Sequence, residues 1–456
     1  MQTRKKLQIA IATALSGAAL LGTHHVCAAG FALMEQNSSG LGNAYAGAAA
    51  VAEDASTIYF NAAGLTQLKR PSLVLNVAGI DVQSEFKNSA SAQALGQGLG
   101  GDGGDAGGLT VLPSFYLAVP LTDKVSGGVG VNAPFGLKTE YNDDWMGRFQ
   151  AIKSDVKTTN INTALAFKIH DKVSLGIGAD FQSIDATLTS AVNYTAIIAS
   201  NTAGALILPG LQGTSLVKGN DSAWGYDLGV LFTPNDSTRV GLSYRSAIKY
   251  HLAGNASFTT PTTANATGQA IINAAHNSTT NAAAPTDGAI ALNLKLPASA
   301  RLAAVQKLGG AFELLGEVSW TQWSSVPELK IVRTNGAVGV LKNTPEKWDD
   351  TMRYAVGANW QVNKAVKLRV GAALDESPVP DSTRTPRLPD NDRTWLSAGA
   401  RLDVNKRLTM DMGYTHIMVK DAQLNQNDGS TNAYGLLLGK QKTSIDILGV
   451  QATASF

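Results

Sequence analysis

The 456-residue chain carries 37 basic and 35 acidic side chains, a formal net charge of +2, with 44% hydrophobic and only 16% charged residues. A charge this near zero excludes the basic field that draws nucleic acid, and the single cysteine, Cys27, excludes a disulfide framework or a cysteine-ligated metal. Beyond residue 28 no apolar run approaches the ~18 residues that a spanning helix needs, so the apolar content must be dispersed in some other element.

Arg4, Lys5 and Lys6 precede an apolar run from Leu7 to Leu21, and Val26-Cys27-Ala28-Ala29 offers small residues to a signal peptidase. Residues 1–28 therefore read as an export signal, cut near Ala28. Its loss would remove three basic and no acidic residues, leaving +2 − 3 = −1, and would take Cys27 with it. Residues 29–70 lack sustained alternation and are dense in small residues, Ser38 to Ala50 above all. About forty residues rarely form a core alone, which predicts a small plug housed inside a larger element.

From residue 71 onward the pattern has period two. Leu396, Ala398, Ala400, Leu402 and Val404 alternate with Ser397, Gly399, Arg401 and Asp403, and Leu408, Met410, Met412 and Tyr414 repeat the pattern. The alternation predicts strands over 71–82, 112–121, 125–141, 154–170, 173–192, 223–234, 238–258, 288–308, 312–332, 352–363, 366–379, 392–405, 408–425 and 443–456. Connectors such as 121–124, 169–172, 233–238 and 404–407 carry turn chemistry and read as periplasmic turns. The longer stretches 83–111, 193–222 and 259–287 read as extracellular loops. With a final strand closing on Phe456, these features predict an all-β protein, a 14-stranded antiparallel transmembrane β-barrel over 71–456, plugged by a small N-terminal hatch over 29–70. A chain without spanning helices satisfies its backbone in lipid by closing a sheet on itself. The expected location is the bacterial outer membrane, as a monomer touching bilayer lipid and lipopolysaccharide.

Several segments then resemble a known family. Gly30-Phe31, Asn37-Ser-Ser-Gly-Leu-Gly-Asn-Ala-Tyr45 and Ala52-Glu-Asp-Ala-Ser-Thr-Ile-Tyr-Phe-Asn-Ala-Ala-Gly-Leu65 are similar to the hatch of FadL-type long-chain fatty-acid transporters. Pro134-Phe-Gly-Leu-Lys-Thr-Glu-Tyr141, Trp145-Met-Gly-Arg-Phe-Gln-Ala151, Ser377-Pro-Val-Pro380 and Pro389-Asp-Asn-Asp-Arg-Thr-Trp-Leu-Ser397 match the same family, so the resemblance runs from about residue 29 to the end. It implies passive uptake of hydrophobic molecules, first between two extracellular loops, then into an inner pocket by the hatch, then sideways through the wall at a kinked third strand.

On this chain the uptake loops would be those holding Ile197, Ile198, Leu206, Ile207, Leu208 and Leu211, and Ile271 and Ile272, which are unusual residues for solvated loops. The hatch and gate would comprise Gly30, Phe31, Asn61, Ala62 and Ala63. Pro134, Phe135 and Gly136 would form the kink, since proline cannot donate to a ladder and glycine marks a bulge. Two departures from the family pattern stand out. Asn61-Ala62-Ala63 replaces the common Asn-Pro-Ala turn, which predicts a looser hatch, and Leu188-Thr-Ser-Ala191 lacks the basic residue that faces the fatty-acid headgroup in well-known members. Lys342 lies near the place of a second family lysine and is the remaining candidate cation. Fatty acids lead as substrate, aromatic hydrocarbons carried by the TodX-like branch are the alternative, and a nonspecific porin comes third.

No enzyme, cofactor or metal is expected. Past the signal the chain has His170, His251, His276 and His416, none in a Ser/His/acid or metal spacing, and no Gly-x-Ser-x-Gly elbow.

Overall fold

A computed structural model describes residues 30–427 and 431–456; the expected signal, with Cys27, lies outside the described residues. Among these, fourteen wall strands close into one antiparallel barrel: β1 (Ser72–Asn88), β2 (Gly108–Pro120), β3 (Val125–Asn132 and Gly136–Glu140), β4 (Lys153–His170), β5 (Val173–Asn193), β6 (Gln212–Asn235), β7 (Thr238–Arg245 and Ile248–Phe258), β8 (Gly288–Leu296 and Ser299–Leu308), β9 (Phe312–Thr321 and Glu328–Arg333), β10 (Gly339–Pro345 and Thr351–Gln361), β11 (Val366–Asp375), β12 (Arg393–Asn405), β13 (Leu408–Val419 and Ala422–Gln426) and β14 (Leu437–Ser455). Closure comes from β14 pairing with β1, from Ser72↔Ser455 to Asn88↔Gly439. No helix among the described residues is long and apolar enough to cross a membrane.

The alternation read from the sequence has a physical meaning here. Leu75, Ile177, Leu228, Leu302, Val356, Leu374, Leu396 and Leu448 are exposed on the outer wall, while their chain neighbours point inward. An outward apolar band of this kind is stable against lipid and would be costly against water. The predicted order of strands holds, but two kinds of difference appear. Several strands run past the predicted limits: β1 continues to Asn88 and β6 starts at Gln212, so the wall stands above the apolar band. Six strands are also broken rather than continuous. Pro297 lies in the break of β8 and Pro327 in that of β9, where a residue without an N–H cannot sustain the ladder.

The core is the interface between hatch and inner wall. Leu41, Tyr45, Ile58, Phe60 and Leu65 pack against Val74, Tyr116, Leu231, Val305 and Trp395. Three short helices (Ser38–Leu41, Ala48–Val51, Thr57–Phe60) and a 3-10 turn (Ala62–Gln67) carry the hatch residues. They lie so close to the wall that a Cβ on Gly241 would sit 1.9 Å from the carbonyl oxygen of Ala49, and one on Gly371 would sit 2.2 Å from that of Asn43. Nearer the periplasmic end, Glu53 of the hatch meets Lys367 at 2.7 Å, Arg369 at 3.0 Å and Arg401 at 3.4 Å.

Candidate substrate path

The two apolar loops come together. Each folds a helix, Tyr194–Asn201 and Ala266–His276, which Asn193 and Asn265 cap by accepting from the backbone N–H of Ala196 and Gly268. Ile198 and Ile272 are fully buried between the helices, and Leu206, Leu208 and Leu211 pack around them. Ile197, Ile207 and Ile271 line a cavity of about 1110 Å³, Ile197 and Ile271 while also packing against the loop core. The eight loop residues therefore build a loop core with a greasy cavity wall on one side.

Leu188, Val217, Phe258, Ile331 and Leu341 extend that wall inward, and three charged side chains also line it: Lys342, Glu346 and Arg387. The Lys342 ammonium stands 5.6 Å over the ring of Tyr434. Arg387, from the loop between β11 and β12, donates to the carbonyls of Lys153 (3.0 Å), Gln150 (3.1 Å) and Thr189 (3.2 Å) and to Ser154 Oγ (3.2 Å). Burial pushes its guanidinium down to about 10, still above neutral pH, so it stays cationic. Sequence reasoning missed Arg387 because it looked for a cation near residue 188, and this one arrives from a loop some two hundred positions later.

Beyond Glu346 and Arg387 the next residues inward are apolar. Trp348 and Leu388 join Phe31, Phe135 and Trp323 in a closely packed apolar cluster. Phe31 sits at its centre, with ring centroids 5.0 Å from Trp323, 5.8 Å from Phe135 and 5.9 Å from Trp348. The cluster is built at the strand breaks: Phe135, Trp323 and Trp348 come from the interruptions of β3, β9 and β10, and Leu296 and Ile248 flank those of β8 and β7. Gly30 is the one residue that fits beneath Trp323, since its φ is +60° and a Cβ there would stand 2.6 Å from the indole. Its N–H is held by Asp390 at 2.8 Å.

At the third strand the kink is a bulge beside a break in the β2–β3 ladder. Asn132 pairs with Asn160 and Gly136 with Lys157, so three residues of β3 (133–135) oppose two of β4 (158–159). Pairing of β2 with β3 ends at Phe115↔Val131, so Gly136–Glu140 has no ladder partner on β2. The hatch covers the break as an added strand. Ala32 bridges Phe135, the Leu33 N–H donates to the Pro134 carbonyl at 2.7 Å, and the Gly136 N–H donates to that of Phe31 at 2.9 Å.

At the far end of the hatch, Asn61 donates to the carbonyls of Ala49 (2.7 Å) and Val230 (3.0 Å) and accepts from the Ala63 N–H (3.1 Å). Side-chain hydrogen bonds thus order Asn61-Ala62-Ala63 where the family commonly has a proline. Among the described residues no group of His, Cys, Asp or Glu is arranged to hold a metal.

Comparisons agree with this geometry. The family described as "Outer membrane protein transport protein (OMPP1/FadL/TodX)" matches residues 19–456. The "Long-chain fatty acid transport protein" of Salmonella typhi is 28% identical over 420 residues, 91% of this chain and 93% of that protein. The "47 kDa outer membrane protein" of Pasteurella multocida is 29% identical over 445 residues, 95% of this chain and 98% of that one. Among solved structures, a Pseudomonas aeruginosa FadL homologue superposes with a TM-score of 0.85 at 24% identity, covering 94% of this chain and all (100%) of its own. The Ralstonia pickettii toluene transporter TbuX gives 0.64 at 16%, covering 93% and 100%; at these identities both show the shared fold. The chain belongs to the FadL/TodX family of outer-membrane proteins, transporters of hydrophobic compounds.

Proposed function

We propose that the protein takes up long-chain fatty acids passively. A chain lodges between Ile197, Ile207 and Ile271, passes between the rings packed around Phe31, which have to part for it, and leaves sideways at Pro134-Phe135-Gly136. The observation that carries the fatty-acid reading is the pairing of Lys342 and Arg387 with apolar side chains on one cavity. A carboxylate removed from water needs cations or donors, and a hydrocarbon tail needs greasy walls worth ~25 cal/mol per Å² buried; this cavity offers both. A bare aromatic hydrocarbon would gain nothing from the two cations.

The lateral step rests on the wall opening between β2 and β3 and on its cover by Ala32 and Leu33. Two backbone hydrogen bonds hold that cover, and hatch residues 31–33 have to leave the break for a chain to pass. Exit there would place the tail in lipid without crossing water. Downward exit is opposed by the tightly packed hatch and its charged contacts with the wall.

A second reading keeps the path and changes the cargo. The rings of Phe31, Phe135, Trp323 and Trp348 would hold a monoaromatic hydrocarbon well, and solved neighbours of this fold include toluene transporters. Uptake of radiolabelled oleate and toluene, in cells lacking transporters of their own, separates the two. The account predicts oleate uptake, with Lys342→Gln raising the half-saturating concentration about tenfold through loss of one charge-assisted contact. Toluene uptake alone, indifferent to Lys342→Gln, would assign the path to hydrocarbons. Uptake of small sugars by the native protein would assign it to a nonspecific pore.

A further inference from the structure

We propose that the outer wall carries a docking site for lipopolysaccharide, whose phosphate meets Lys249 and Lys295. Lys249 on β7 and Lys295 on β8 stand directly opposite each other in the ladder. Both leave the wall on its outer side, since their neighbours Ile248, Tyr250, Leu294 and Leu296 point inward and are buried. Like charges so placed, with Cβ atoms about 5 Å apart, destabilise a sheet unless an anion joins them. Neither amine has a carboxylate partner among the described residues. Several other lysines at the extracellular rim do: Lys87 pairs with Glu85, Lys153 with Glu140, Lys420 with Asp392 and Lys440 with Asp421. Carboxylates on the same stretch of wall are engaged elsewhere, Asp221 by the His251 N–H and Glu328 by Asn343.

The height of the pair fits a headgroup. Lys249 lies eleven residues beyond Thr238, where β7 leaves its periplasmic turn (249 − 238 = 11). At ~3.3 Å per residue and a tilt of ~40° this is ~28 Å, just above an apolar band ~25 Å tall. Tyr244 and Trp320 lie below it on the outer wall, and Trp224 stands out at 70% exposure on β6, as aromatic residues do at a lipid boundary.

Native mass spectrometry of the detergent-purified protein tests this, with bisphosphorylated lipid A, dephosphorylated lipid A and phosphatidylglycerol as probes. The expected result is preferential retention of bisphosphorylated lipid A, weakened about tenfold in Lys249→Gln/Lys295→Gln and unchanged in Lys87→Gln/Lys420→Gln. Lys249, Lys87 and Lys420 are exposed and Lys295 is half-buried, and an unchanged heat-induced mobility shift would verify folding. Equal retention by wild type and the double lysine variant would overturn the proposal, as would equal binding of the dephosphorylated lipid or of phosphatidylglycerol.

Discussion

At the scale of single residues, the hatch shows how one polar side chain can replace a conformational restraint. A proline would fix the turn after Asn61 by its ring; here Asn61 ties that turn to Ala49 of the hatch and Val230 of β6. Replacing it by alanine leaves the buried Ala49 carbonyl without this donor and cuts the tie to Val230, at a cost of about 1–3 kcal/mol. Denaturant unfolding in detergent should show a lower midpoint for Asn61→Ala and a smaller loss for Asn61→Gln; an unchanged midpoint would mean that the turn is held by packing alone. The lumen cations pose the converse question. Arg387 is spent on three carbonyls and a hydroxyl, so its removal would disturb the loop as well as any ligand, whereas Lys342 lies at the cavity wall. Lys342→Gln is therefore the cleaner probe of carboxylate recognition.

At the scale of elements, hatch and wall hold each other by contacts of different kinds. Glu53 is shared by three cations from β11 and β12 near the periplasmic mouth, while Gly241 and Gly371 let the hatch backbone approach the wall. Removing Glu53 would leave Lys367, Arg369 and Arg401 to their remaining partners Glu313, Asp411 and Asp403 and lose the tie to the hatch, about 1–2 kcal/mol. Glu53→Ala is expected to loosen the plug and admit small sugars in a liposome-swelling assay, and Gly241→Val, which clashes with the Ala49 carbonyl, should do the same by another route. If neither variant leaks, the plug is held elsewhere. Strand existence was legible in the sequence, because period-two alternation follows directly from lipid outside and hatch inside. The breaks were not. Pro297 and Pro327 signal them, yet Trp323 and Trp348 gain their meaning when five strand breaks converge around Phe31, a long-range arrangement that local pattern does not encode.

At the scale of the whole molecule, the chain forms an apolar cavity and a packed aromatic cluster in series, joined where Glu346 meets Trp348 and Arg387 meets Leu388, with the hatch-covered break in the β2–β3 ladder beyond. The loop isoleucines and the Pro134-Phe135-Gly136 kink were visible in the sequence as apolar and strand-breaking residues out of place. The cover over the kink was hidden, since nothing local to Phe31, Ala32 and Leu33 announces a strand pairing with residues a hundred positions away. That cover is also the most direct handle on lateral exit. Ala32 and Phe135 form a non-hydrogen-bonded antiparallel pair, whose Cα atoms lie about 4.5 Å apart, within disulfide range. The decisive measurement is oleate uptake by cells carrying Ala32→Cys/Phe135→Cys, first oxidised and then reduced. The account predicts uptake at background while the disulfide holds the hatch against β3, and recovery on reduction; undiminished uptake with the disulfide intact would contradict passage through this opening.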